Sequence, residues 1–109
     1  AATGLAGDLQ YHRGYPPTVN HTREAAIGAD VAAEVAGDAQ VDRTAPPSMG
    51  AEDFAFMLEE RPGAYIRLGN GSDANGRVLH SPHYDFNDAA LPFGISYWVR
   101  LAERSLAAS

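Results

Sequence analysis

Proline limits the length of any regular element in this chain. Pro16-Pro17, Pro46-Pro47 and Pro62-Gly63 divide it into short segments. Proline cannot donate to a hydrogen-bond ladder and blocks a helix interior, so each step ends the element before it. Ahead of the first pair, Leu9, Tyr11, Arg13 and Tyr15 alternate with Asp8, Gln10, His12 and Gly14, the period of a half-exposed strand. Two tyrosines on a lone strand bury nothing, so this strand expects sheet partners from elsewhere. Residues 1–7 are small and read as a frayed or in part vector-derived end.

Between the first two breaks, His21 to about Ala36 is Ala-rich, carries Glu24 near its start and stops at Gly37, which predicts a helix. Asn20 or Thr22 caps it, with a hinge as the other reading of Asn20. Ala26, Ile27, Ala33 and Val35 are small enough for close packing against a sheet. Gln40 to Arg43 reads as a short strand. A second helix is expected from near Gly50 to Arg61, with Glu52 and Asp53 in its first turn and Phe54, Met57 and Leu58 as its apolar stripe. Gly63 to Gly71 then alternates as a strand, and Asn70 to Gly76 is a loop of turn-forming residues.

The third stretch, Leu79-His80-Ser81-Pro82-His83-Tyr84-Asp85-Phe86-Asn87-Asp88, packs two imidazoles and two nearby carboxylates into ten residues. Neutral imidazole is the commonest protein ligand for zinc and its neighbours, but a site needs three or four ligands, and Pro82 keeps His80 and His83 off one helical face. Spacing leaves two readings: metal donors, or a surface loop capping the last helix. Asn87 or Asp88 caps that helix, which runs to about Ala107, with Pro92 tolerated in its first turn. Leu91, Ile95, Trp98, Val99, Ala102 and Leu106 form its stripe, expected in the core, and Arg100, Glu103 and Arg104 mark the solvent side.

The order strand, helix, strand, helix, strand, helix predicts α/β layering on a mainly parallel sheet, with the His80 loop at a strand end, where open sheets place function. At 109 residues the chain is one domain at most. Fourteen acids against eight bases, all arginine, give a net charge of -6, which disfavours nucleic acid as a partner. Without cysteine there are no disulfides and no thiolate ligands. Neither a signal peptide nor an apolar run of membrane-spanning length is read, which leaves a cytoplasmic location as the expectation.

Three groups of residues in register carry a resemblance. They are Tyr15-Pro16-Pro17-Thr18-Val19-Asn20; Met49-Gly50-Ala51-Glu52-Asp53-Phe54 with Pro62-Gly63-Ala64 and Leu68-Gly69; and Leu79-His80-Ser81-Pro82 with Asp85-Phe86 and Leu91-Pro92-Phe93-Gly94. The chain resembles the C-terminal part of the zinc aminoacylase and carboxypeptidase family, in its hippurate-hydrolase-like branch of N-acyl and indole-acetyl amino acid amidohydrolases. The resemblance implies a partial three-layer sandwich, a mainly parallel sheet with flanking helices. Residues 1–17 correspond to the last strand of a lid or dimerisation domain and its crossover, and residues 18–109 to the C-terminal portion of the catalytic domain.

The resemblance also implies two divalent ions in the parent enzyme, zinc or else manganese, nickel or cobalt, with His80 ligating one of them. Glu52 and Asp53 border the active-site cleft, or else serve only as helix-start charges. Ala51 stands where the family has Gly or Ser. The general base and the remaining ligands correspond to nothing in this chain, so the isolated chain is expected to be inactive. His83 is expected at the rim, Asp85 as a loop-ordering residue and His12 as a solvent-facing one. The substrate implied is an N-acyl amino acid or peptide-like molecule, and a homo-oligomer is expected. The other class of function is a noncatalytic interaction module that self-associates or binds a partner through its N-terminal edge strand.

Overall fold

The computed structural model describes residues 3–4, 6–71 and 78–107. Residues 72–76 of the expected Asn70–Gly76 loop, and residues 1, 2 and 5 of the N-terminal stretch, lie outside the described residues. Three α-helices order the chain: α1 is Thr22–Ala36, α2 is Phe54–Glu60 and α3 is Leu91–Ala107. Short 3-10 turns at Asp38–Gln40 and Asp88–Ala90 follow α1 and lead into α3.

No strand is present among the described residues, so the expected α/β class, with its mainly parallel sheet and partial three-layer sandwich, is overturned. The physical reason is the absence of neighbours. Residues 6–20 and 61–71 are free of helix, but a strand exists only as a member of a ladder. Leu9 is 88% and Tyr11 80% exposed. The strand expected at Gln40–Arg43 is instead the end of a 3-10 turn and a bend, closed by Val41 N–H to the Asp38 carbonyl at 3.1 Å and by Thr44 N–H to the Asp42 carboxylate at 2.8 Å.

Side chains take the place of a ladder between the entry to α1 and residues 63–65. The Asn20 amide clasps the Tyr65 backbone from both sides, Oδ1 accepting from its N–H at 2.7 Å and Nδ2 donating to its carbonyl at 2.9 Å. One residue on, His21 N–H donates to the Gly63 carbonyl at 3.1 Å, and Gly63 N–H donates to His21 Nδ1 at 3.2 Å. His21 therefore occupies the N-cap position without capping through its side chain, and Asn20 is not the cap but clamps Tyr65.

The small core lies where α1 and α3 cross and where α2 meets residue 63. Val31, Ala55, Leu58 and Tyr97 are its buried apolar side chains. Gly28 on α1 lets Tyr97 approach: a Cβ there would stand 3.0 Å from the Tyr97 hydroxyl. Ile66 and Leu68 touch the same crossing at Gly28 and Gly94, and Leu58 reaches Gly63. At the rim of the crossing, Arg104 pairs with Glu34 at 3.1 Å and Asp30 at 3.7 Å, while Arg43 holds Asp30 at 3.0 Å and Asp38 at 3.3 Å. These pairs are open to solvent and screened by it, so they contribute little to stability.

α3 thus turns inward a different face from the expected one. Gly94, Tyr97, Leu101 and Arg104 face α1, whereas Leu91, Ile95, Trp98, Val99 and Leu106 face outward, Trp98 at 64% exposure. The apolar stripe is correct as a pattern and wrong as a core. Similarly, α2 buries Ala55 and Leu58 and leaves Met57 out. It begins later than expected because Glu52 and Asp53 form the turn before it rather than its first turn.

Candidate functional site

The histidine loop is built from two consecutive turns. Ser81 N–H donates to the Val78 carbonyl at 3.2 Å, and Tyr84 N–H to the Ser81 carbonyl at 3.1 Å. His80 is the third residue of the first turn and has φ 67°, the left-handed conformation that a type II turn demands there. It is the one non-glycine residue with positive φ among those described. Pro82 takes the second position of the second turn, where its fixed φ fits, and Ser81 Oγ accepts the His83 N–H at 3.1 Å. Both histidine rings are exposed.

Asn70 closes the loop onto the 61–71 segment. Its Nδ2 donates to the Tyr84 hydroxyl at 2.6 Å and to the Asp85 carbonyl at 3.4 Å. Its Oδ1 accepts from Asn87 N–H at 3.0 Å, and its own carbonyl accepts from Asn87 Nδ2 at 3.3 Å. The Asn87 side chain in turn accepts from Ala89 N–H at 3.2 Å, capping the 3-10 turn that leads into α3 as the sequence predicts. Tyr84 and Phe86 stack edge to face with centroids 5.0 Å apart. The loop is therefore ordered by two amides, while the contact made by Asp85 runs through its carbonyl rather than its carboxylate.

Glu52 and Asp53 lie at the head of α2. The Glu52 carboxylate accepts from Phe54 N–H at 3.2 Å. That backbone bond, with the Tyr65 hydroxyl and Arg67 beside it, holds Glu52 below the usual carboxylate range, and Glu52 in turn pushes the Tyr65 hydroxyl up. Arg67 also donates to Ser48 Oγ at 3.0 Å. None of these partners belongs to the histidine loop. His12 sits exposed on the extended N-terminal segment, as expected.

Among the described residues no three His, Asp or Glu side chains converge as a metal site. His80, an exposed imidazole on a held turn, is a donor that fits one coordination position of a divalent ion. A shallow cleft of about 300 Å³ lies between residues 17–21 and α2, lined by Pro17, Val19, Asn20, His21, Ala55, Leu58 and Glu59, and it includes none of His80, Glu52 and Asp53. Asn70 and His21 are the residues that sequence reasoning missed. Asn70 was legible only as a turn former, because a two-sided amide shows its value only once a second segment meets it.

Among the described residues no helix is long and apolar enough to cross a membrane. No solved structure matches the chain. Among curated proteins, it is 37% identical over 94 residues to IAA-amino acid hydrolase ILR1-like 6 of Arabidopsis thaliana, covering 84% of this chain and 20% of that protein. It is 34% identical over 91 residues to a hippurate hydrolase of Campylobacter jejuni, covering 84% of this chain and 23% of the relative. A probable hydrolase of Synechocystis is 31% identical over 109 residues, 91% of this chain and 28% of its own length. The chain thus spans between a fifth and three-tenths of these relatives. The family model described as peptidase family M20/M25/M40 matches residues 7–104, and the chain belongs to that family.

Proposed function

We propose that this chain is a portion of the catalytic domain of a metal-dependent amidohydrolase, and that His80 is its contribution to the metal centre. In this reading residues 18–109 belong to the catalytic domain, and residues 1–17 to the lid or dimerisation domain and the crossover from it. The observation that carries the reading is His80 itself: an exposed imidazole held at a left-handed backbone position, in a chain matched to a peptidase family over nearly its whole length. The substrate class is an N-acyl amino acid or related conjugate, supported by relatives whose names specify hippurate and IAA-amino acid hydrolysis.

A divalent ion bound at His80, zinc or else manganese, nickel or cobalt, would supply Lewis-acid polarisation of the scissile amide and of water. His80 binds as a neutral donor and so leaves the charge of the ion available for that work. Glu52, tied to Phe54 N–H, fixes the turn ahead of α2, and in this reading that turn borders the active-site cleft of the complete enzyme. The general base and the other ligands come from outside residues 1–109, so the chain by itself does not turn over substrate.

The test is metal content of the full natural polypeptide and of its His80→Ala variant after dialysis against excess zinc and then buffer. Loss of about one ion per protomer in the variant supports the reading; unchanged content refutes it. The exposed backbone of residues 6–15 keeps a second reading in play, docking of that segment on another chain. Removal of residues 1–15 that leaves oligomeric state unchanged would eliminate it.

A further inference from the structure

We propose that Asn70 is a positioning residue for His80, setting the imidazole in place through the tandem turn; this rests on the reading of His80 as a metal ligand. The amide joins two stretches that are distant in sequence. It sits at the end of the 61–71 segment, donates to Tyr84 at the end of the second turn and to the Asp85 carbonyl just after it, and accepts from Asn87 at the entry to α3. The bond to the Tyr84 hydroxyl, at 2.6 Å, is the shortest of these.

The link from Asn70 to His80 has no slack residue in it. Ser81 belongs to both turns: its N–H closes the first, its carbonyl closes the second, and its Oγ takes the His83 N–H. Tyr84 ends the second turn and its hydroxyl is the one Asn70 holds. Releasing Tyr84 therefore frees the second turn, and with it the residue that closes the first. His80 occupies a left-handed conformation that an imidazole side chain does not favour by itself, so a freed turn returns it to ordinary φ and swings the ring away.

The requirement is for a planar side chain that meets the Asn87 N–H and the Tyr84 hydroxyl at once. An aspartate at 70 still accepts from Asn87 N–H and accepts the proton of the Tyr84 hydroxyl, losing only the long contact to the Asp85 carbonyl at 3.4 Å. An alanine loses all three side-chain contacts. Asp therefore rescues and Ala does not, an order that bulk or helix propensity does not reproduce.

The experiment titrates zinc into the metal-free full natural polypeptide, following affinity by competition with a chromophoric chelator and thermal midpoint by circular dichroism. Asn70→Ala is expected to weaken binding about 10–100-fold, as loss of an outer support does, with the metal-free protein still unfolding in one cooperative transition. Asn70→Asp is expected to stay close to the unaltered protein, with His80→Ala as the reference for loss of the ligand. Affinity unchanged in Asn70→Ala but lost in His80→Ala overturns the positioning role alone. Affinity unchanged in both overturns the metal reading and the proposal with it. If Asn70→Ala does not fold, Tyr84→Phe removes the same bond from the other side, and unchanged affinity there overturns the proposal.

Discussion

His80 adopts φ 67°, a conformation in which a β-carbon crowds the following carbonyl. Relieving that crowding separates stability from function. His80→Gly is expected to raise folding stability by roughly 0.5–1 kcal/mol, because glycine takes left-handed φ without the steric cost. His80→Ala keeps the crowding and gains nothing, while both variants lose the imidazole. Urea unfolding checks the first effect and zinc retention the second; equal stability of the two variants would show that the turn imposes no strain.

The pair Glu52 and Tyr65 titrates in opposite directions. Glu52 lies below its ordinary value of 4.5, chiefly through the Phe54 N–H, so its stabilisation is complete above that value and is lost as pH falls through the lower folded pKa. Tyr65 lies above 10.0, chiefly because of the Glu52 carboxylate, so its contribution is complete below pH 10.0 and is lost as pH rises through the raised value. Tyr65→Phe should remove the alkaline loss and leave most of the acid loss, since the backbone donor remains. Stability measured against pH in both proteins reads this directly.

Among the elements, the join between the start of α1 and residues 63–65 shows how far the sequence can be read. Helix signals around Gly37 and Asn87 are local, and α1, α3 and the Asn87 cap stand where those signals place them. The strands at residues 8–15, 40–43 and 63–71 were read from alternation, which reports which side chains share a face and not whether a neighbour exists to complete a ladder. Asn20 looked like a cap because caps are local and clamps are not. His80 stood out from chemistry and motif, whereas Asn70 became visible only through three partners 14 to 17 residues away. Asn20→Ala is expected to cost about 1–2 kcal/mol through loss of both bonds to Tyr65. It should also accelerate hydrogen exchange at the Tyr65 amide while leaving α3 amides unchanged.

At the scale of the molecule, the surface exceeds what a complete domain of this mass would show. The accessible area is 9296 Å², against about 5,800 Å² for a folded monomer of 11.6 kDa. The radius of gyration is 19.1 Å, against about 13 Å for a compact chain of this length. Much of the excess is apolar and organised, since Leu91, Ile95, Trp98, Val99 and Leu106 line one side of α3 at helical spacing. A regular apolar stripe facing water is consistent with the proposed reading, in which its covering lies outside residues 1–109.

If the chain is a portion of a longer amidohydrolase, as proposed, Ile95 and Val99 distinguish the chain alone from the chain in that parent. Replacing both by Glu removes no buried contact in the 109-residue chain, so its stability should change by no more than about 0.5 kcal/mol per site. In the full natural polypeptide the same change sets two carboxylates against whatever packs there, and soluble folded yield should collapse. Trp98, the one tryptophan, reports the same cover optically. Its emission should be that of solvated indole in the dilute chain and shift to the blue in the parent. Emission already blue-shifted in the dilute chain, and independent of concentration, would mean that α3 finds its cover within these 109 residues.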